Sequence, residues 1–111
     1  MRMHSAEAFY YTYPGFVDIF HVMQRNRERF GYSLSLIMCT VENVYSDALE
    51  ASIRNSAEKG EAYTKYSDSQ YLMLVMGNEE LCNLRCQSID ETINTLTQGQ
   101  AHVRYEHMSV S

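Results

Sequence analysis

Glu61-Ala62-Tyr63-Thr64-Lys65-Tyr66-Ser67-Asp68-Ser69-Gln70-Tyr71-Leu72-Met73-Leu74-Val75-Met76 is the stretch on which the fold turns. Residues 62–66 and 71–76 are rich in the aromatic and apolar side chains that suit a pleated, half-buried surface. Between them lie four small polar residues, Ser67 to Gln70. Two β-type runs around such a break predict a hairpin.

The pattern extends upstream. Residues 33–41, within YSLSLIMCTV from Tyr32, form a strand whose apolar content spreads to both faces at its end. Such a strand belongs inside a sheet covered by helices on at least one side. Between this strand and the hairpin, Leu49, Ile53 and Ala57 recur at i, i+4. Ser46 or Asp47 can cap that helix, Asp47 and Glu50 have capping-box spacing, and Lys59-Gly60 ends it. Further upstream, Phe16, Ile19, Phe20, Met23 and Phe30 follow a helical period that Gly31 stops.

Downstream, Gly77-Asn78 breaks the second β-run, and Asn78 caps a long helix with Glu79 and Glu80 in its first turn. Its buried stripe is predicted as Cys82, Cys86, Ile89, Ile93 and Leu96, with Gly99 at the C′ position. Ala101, Val103 and Tyr105 then alternate with His102, Arg104 and Glu106 as a last strand. The order is a helix followed by β-α-β-β-α-β. That is an α+β, ferredoxin-like plan, an antiparallel sheet with two helices on one face, preceded by an N-terminal helix. The first strand should be central with the hairpin beside it. Phe20, Leu36, Met38, Ile53, Leu72, Leu74, Ile89 and Ile93 form the expected core.

A chain of 111 residues has room for one domain and one core. Residues 1–14 read as a linker or the end of an upstream region, and residues 15–111 as the domain. The net charge of −5 argues against a nucleic-acid surface, which draws on clustered Lys and Arg. Arg25, Arg27 and Arg29, interrupted by Glu28, read as a solvated helix face. The odd number of cysteines, Cys39, Cys82 and Cys86, with no secretory leader before them, fits reduced thiols in the cytosol. No apolar run approaches the ~20 residues needed to span a bilayer, so no membrane contact is expected.

Other constellations read as packing. Cys82 and Cys86 share a helix face, but they lie on the apolar stripe and His4, His21, His102 and His107 are scattered, so core cysteines are expected. Cys39 at a strand end lacks a base or an oxyanion hole that the sequence can locate. Asp18, His21 and Arg25 read as a solvated polar face. Tyr10, Tyr11 and Tyr13 have two readings: a linker packed on the domain edge, or a contact with an upstream domain or partner.

The hairpin resembles the signature of GGDEF (diguanylate cyclase-like) domains, in which an Asp, three residues and R-Y-G-G-D-E-F precede an apolar strand. In register, Glu61 takes the place of that Asp, Lys65-Tyr66 of R-Y, and Ser67-Asp68-Ser69-Gln70-Tyr71 of G-G-D-E-F. Arg29-Phe30-Gly31-Tyr32 and the strand after it look like the family's helix end and first strand. More narrowly, the run is similar to the R/K-Y-S-x-S-Q-F/Y of GGDEF-like tails in some bacterial transcriptional activators and response regulators. The resemblance covers roughly residues 16–105.

The departures from the family carry the functional expectation. The first-strand carboxylate position falls at about Thr40, and the hairpin acid becomes Gln70, which can neither carry charge nor act as a base. Ser67 and Asp68 replace the two glycines that let backbone approach a nucleotide. The segment between first strand and hairpin is shorter by roughly a helix. The product-inhibition Arg would fall at Glu58, with its charge reversed. The resemblance thus implies a cytoplasmic, non-enzymatic regulatory module without cofactor, metal or catalytic residues. Its expected partner is a protein: upstream domains of the same chain, or the other half of a homodimer. No direct nucleic-acid contact by this domain is expected. The alternative is a nucleotide or small-molecule sensor without turnover.

Overall fold

The structure, a computed structural model, describes residues 9–57 and 61–110. Its elements are β1 (Phe9–Tyr10), α1 (Tyr13–Phe30), β2 (Ser35–Thr40), α2 (Ser46–Ser56), β3 (Ala62–Ser67), β4 (Gln70–Val75), α3 (Glu79–Thr97) and β5 (Arg104–Ser109). A 3₁₀ turn, Asn43–Tyr45, leads into α2. The sheet order is β1-β3-β4-β2-β5. Strands β3, β4, β2 and β5 pair antiparallel, and β1 adds a short parallel edge to β3. This is the ferredoxin-like α+β plan, with β2 between the hairpin and the last strand.

The two faces of the sheet are buried by different helices. Ile37 and Cys39 of β2, with Tyr71, Met73 and Val75 of β4, pack under Leu49 and Ile53 of α2 and Cys82, Ile89 and Ile93 of α3. The opposite face meets α1, where Phe16 packs with Leu34, Ala62 and Leu74. Ile53, Leu74, Ile89 and Ile93 are buried as expected. Phe20, Leu36, Met38 and Leu72 are only partly buried. For Leu36, Met38 and Leu72 the cause is strand parity: both faces of β2 and β4 are apolar, so period alone does not say which face meets α2 and α3. That face carries the odd-numbered residues. Leu96, assigned to the stripe of α3, is more than half exposed. Arg85 occupies the stripe instead, between Cys82 and Ile89.

The helix ends follow local chemistry. Asn78 Oδ1 accepts from the Leu81 N–H at 3.3 Å. Gly31 closes α1 in the left-handed region at φ 75°, where a Cβ would be unfavourable. α2 differs from expectation: neither Ser46 nor Asp47 caps it, because the 3₁₀ turn runs directly into its first turn. Its last helical residue is Ser56, and the Lys59-Gly60 stop lies outside the described residues. The final strand starts at Arg104, three residues later than the alternation suggested. Ala101 is buried but lies in the connecting segment.

Residues 9–14, within the stretch read as linker, pack on the domain edge. The Tyr11 N–H donates to Tyr63 O at 3.0 Å. Tyr10 lies edge-on to Tyr63 and Tyr13 edge-on to Tyr66, with centroids 5.4 and 5.6 Å apart.

Candidate functional site

The β3–β4 hairpin turns at Asp68-Ser69, with a register shift between Lys65 and Ser67. Strand pairing then sets the neighbours. Thr40, at the end of β2, faces Gln70 on one side and Arg104 on the other. Four of the sequence-selected residues therefore meet at one end of the sheet: Thr40, Ser67, Ser69 and Gln70. Ser67 Oγ donates to Gln70 Oε1 at 2.9 Å, and Gln70 Nε2 donates to Thr40 Oγ1 at a long 3.4 Å. The Ser69 N–H points at Ser67 Oγ at 3.4 Å, and the Val41 N–H donates to Ser69 O at 2.9 Å. The two ends of the Gln70 amide are thus held by two hydroxyls, a neutral network that ties the turn to β2.

Beside this network lies an open cleft of about 340 Å³, lined by Thr40, Val41, Glu42, Asn43, Ser69, His102 and Arg104. The sequence reading did not select Glu42, Asn43, His102 or Arg104 as site residues. Arg104 looked like the solvated half of an alternating strand, and only its pairing with Thr40 brings it here.

The other signature positions lie elsewhere. Lys65 and Tyr66 are exposed on β3, and Asp68 is exposed on the turn. Tyr71 is buried on the opposite face. Its hydroxyl and that of Tyr63 converge on Glu50 of α2, at 3.4 Å to Oε1 and 2.8 Å to Oε2. Burial pushes both phenols above their ordinary pKa, and the Glu50 carboxylate adds to the effect. Glu61 is at the far end of β3 from the turn. It receives a bidentate pair from Arg85 of α3, Nε to Oε1 at 3.1 Å and Nη2 to Oε2 at 3.0 Å, and both residues are buried. A buried carboxylate needs such a partner, and the planar guanidinium supplies two parallel bonds.

Cys39 and Cys82 are fully buried, and Cys86 is partly buried beside them. Burial is the first cause that raises the Cys86 thiol to about 11, with Cys82 and Asp90 adding to it. A thiol so shifted is a poor nucleophile at neutral pH.

As a donor set, Thr40, Ser67 and Gln70 do not fit a hard divalent cation. Such an ion takes carboxylate oxygens, whereas these groups are neutral and already engaged with one another, with Arg104 adjacent.

No protein-family model and no curated protein matches the chain. Among solved structures it is similar to a DGC protein from Thermotoga maritima, at a TM-score of 0.71 and 12% identity over 89% of this chain and 80% of that one. The fold is therefore GGDEF-like. Among the described residues, no helix is long and apolar enough to cross a membrane.

Proposed function

We propose that this chain is a non-catalytic regulatory module of a bacterial signalling or transcriptional regulator, in which a GGDEF-like frame serves protein contact. It acts in the cytoplasm, on upstream domains of the same chain or on a second copy. The observation that carries this reading is the Thr40–Gln70–Ser67 network. Where the family resemblance places two carboxylates, a hydroxyl and a primary amide bond to each other. They offer neither negative charge for a cation nor a base for the attacking hydroxyl. An apolar surface at Leu36, Met38, Leu72 and Met108, on the face that α1 leaves partly open, supports contact with protein.

A second reading, a small-molecule sensor without turnover, is favoured by the polar cleft beside Thr40, with Arg104 and His102 on its wall. Titration calorimetry with GTP and magnesium, paired with an assay for cyclic dinucleotide, separates the two. The contact module shows neither heat nor product. Saturable binding without product moves the assignment to the sensor, and product overturns both. Thr40→Asp with Gln70→Glu should not bring turnover, because Ser67 and Asp68 still occupy the glycine positions.

A further inference from the structure

Strand β5 is the outer strand of the sheet on the side away from β1, six residues long and mostly exposed. Among the described residues no strand pairs with its outer edge, and the groups along that edge can be read from one hydrogen bond. The Val110 N–H donates to Leu34 O at 2.8 Å, toward β2. Antiparallel ladders alternate, so the backbone groups of Arg104, Glu106 and Met108 also face β2, while those of Tyr105, His107 and Ser109 face outward. An exposed row of this kind is a template for another strand. Along it, Arg104 and Glu106 are exposed and project from the same sheet face, two residues apart.

The charges choose a register for a second copy of the same strand. With the two-fold axis at Tyr105, each Arg104 lies opposite the other copy's Glu106, in the close, non-hydrogen-bonded positions where side chains interact most. Moving the axis to Glu106 sets carboxylate against carboxylate, and moving it to Arg104 sets guanidinium against guanidinium. Of these three registers only the one at Tyr105 sets opposite charges face to face, and in it the outward groups of the two Tyr105 residues exchange both of their backbone hydrogen bonds. Two-fold pairing of one patch with itself is the commonest way for identical chains to associate.

We infer that β5 pairs antiparallel with β5 of a second copy about an axis at Tyr105, with reciprocal Arg104–Glu106 pairs setting the register. The inference rests on the contact-module reading and specifies its surface and its partner, a second copy of this chain.

The test is sedimentation equilibrium over a concentration series of the full chain. The wild type should dimerise. Arg104→Glu and Glu106→Arg should each raise the dimer dissociation constant by roughly ten-fold, since each places like charges opposite one another. Mixing the two variants should restore dimers, because the acidic edge of one then faces the basic edge of the other. Circular dichroism of each variant keeps a folding defect from passing as lost association. A wild type that stays monomeric overturns the pairing while leaving the contact module free to act on upstream domains. A dimer indifferent to both variants also overturns it. Failure of the contact-module reading itself would appear separately, as GTP binding in the calorimetry.

Discussion

Arg85 shows how a single residue can sit on an apolar stripe without breaking it. It lies three residues after Cys82 and four before Ile89, so helical period carries it into the core whatever its chemistry. Glu61 meets it there with two parallel bonds, and both side chains are at most 10% exposed. Removing one member takes both charge-assisted bonds from the other, which stays buried. Arg85→Ala should therefore destabilise the fold by about 3–5 kcal/mol, whereas Glu61→Leu with Arg85→Met should come close to wild type. Urea unfolding of the three proteins checks this. A near-neutral single variant would mean that the pair is hydrated and contributes little. Glu61 aligned with a family Asp in the sequence, but nothing in its neighbourhood pointed to α3, because its partner is 24 residues away.

Among the elements, α3 has the clearest local specification. Asn78 stands in extended backbone and its side chain accepts the Leu81 N–H, while Glu79 and Glu80 sit in the first turn, where the helix dipole favours them. Asn78→Ala should cost about 1 kcal/mol, and Asn78→Asp should preserve most of the stability. Equal losses in the two variants would assign the role of Asn78 to something other than capping; thermal and urea midpoints decide. The start of α2 was less legible. Asp47 and Glu50 have the spacing of a capping box, yet Glu50 turns to the hydroxyls of Tyr63 and Tyr71. Those partners come from strands that only the folded sheet brings under α2.

Across the whole molecule, several weak acids are buried between the sheet and its helices. Burial is the first cause that raises the pKa of Cys39, Cys86, Tyr63, Tyr71 and Tyr105. The folded state thus holds these protons more tightly than the unfolded chain. The stability they contribute is fully present below the ordinary thiol and phenol values of 9.0 and 10.0, and it is lost as pH rises through the folded values, about 11 for Cys86. The urea midpoint should therefore hold steady from neutral pH to about 9 and fall between there and about 11. A flat midpoint across that window would show that these groups are solvated. In the same core, Cys39 and Cys82 should react with a thiol reagent only on unfolding.

Local patterns were enough to specify the order of elements in this chain. Helical spacing marked α1, α2 and α3, small polar residues between two β-type runs marked the hairpin, and Gly31 and Gly99 marked helix ends, where both adopt positive φ. These signals act within a few residues and need no distant partner. Burial in the sheet was a different matter. The apolar residues of β2 and β4 occupy both faces, so the choice of Ile37 and Cys39 over Leu36 and Met38 for the main core depended on which side α2 and α3 packed. The same holds at the site. Thr40 and Gln70 were recognisable from their places in the pattern, but their hydrogen bond, and the arrival of Arg104 beside them, came from the pairing of β2 with β4 and β5. Contacts between residues 30 and 64 positions apart are set by strand register, and register is decided when the two sheet faces find their helices.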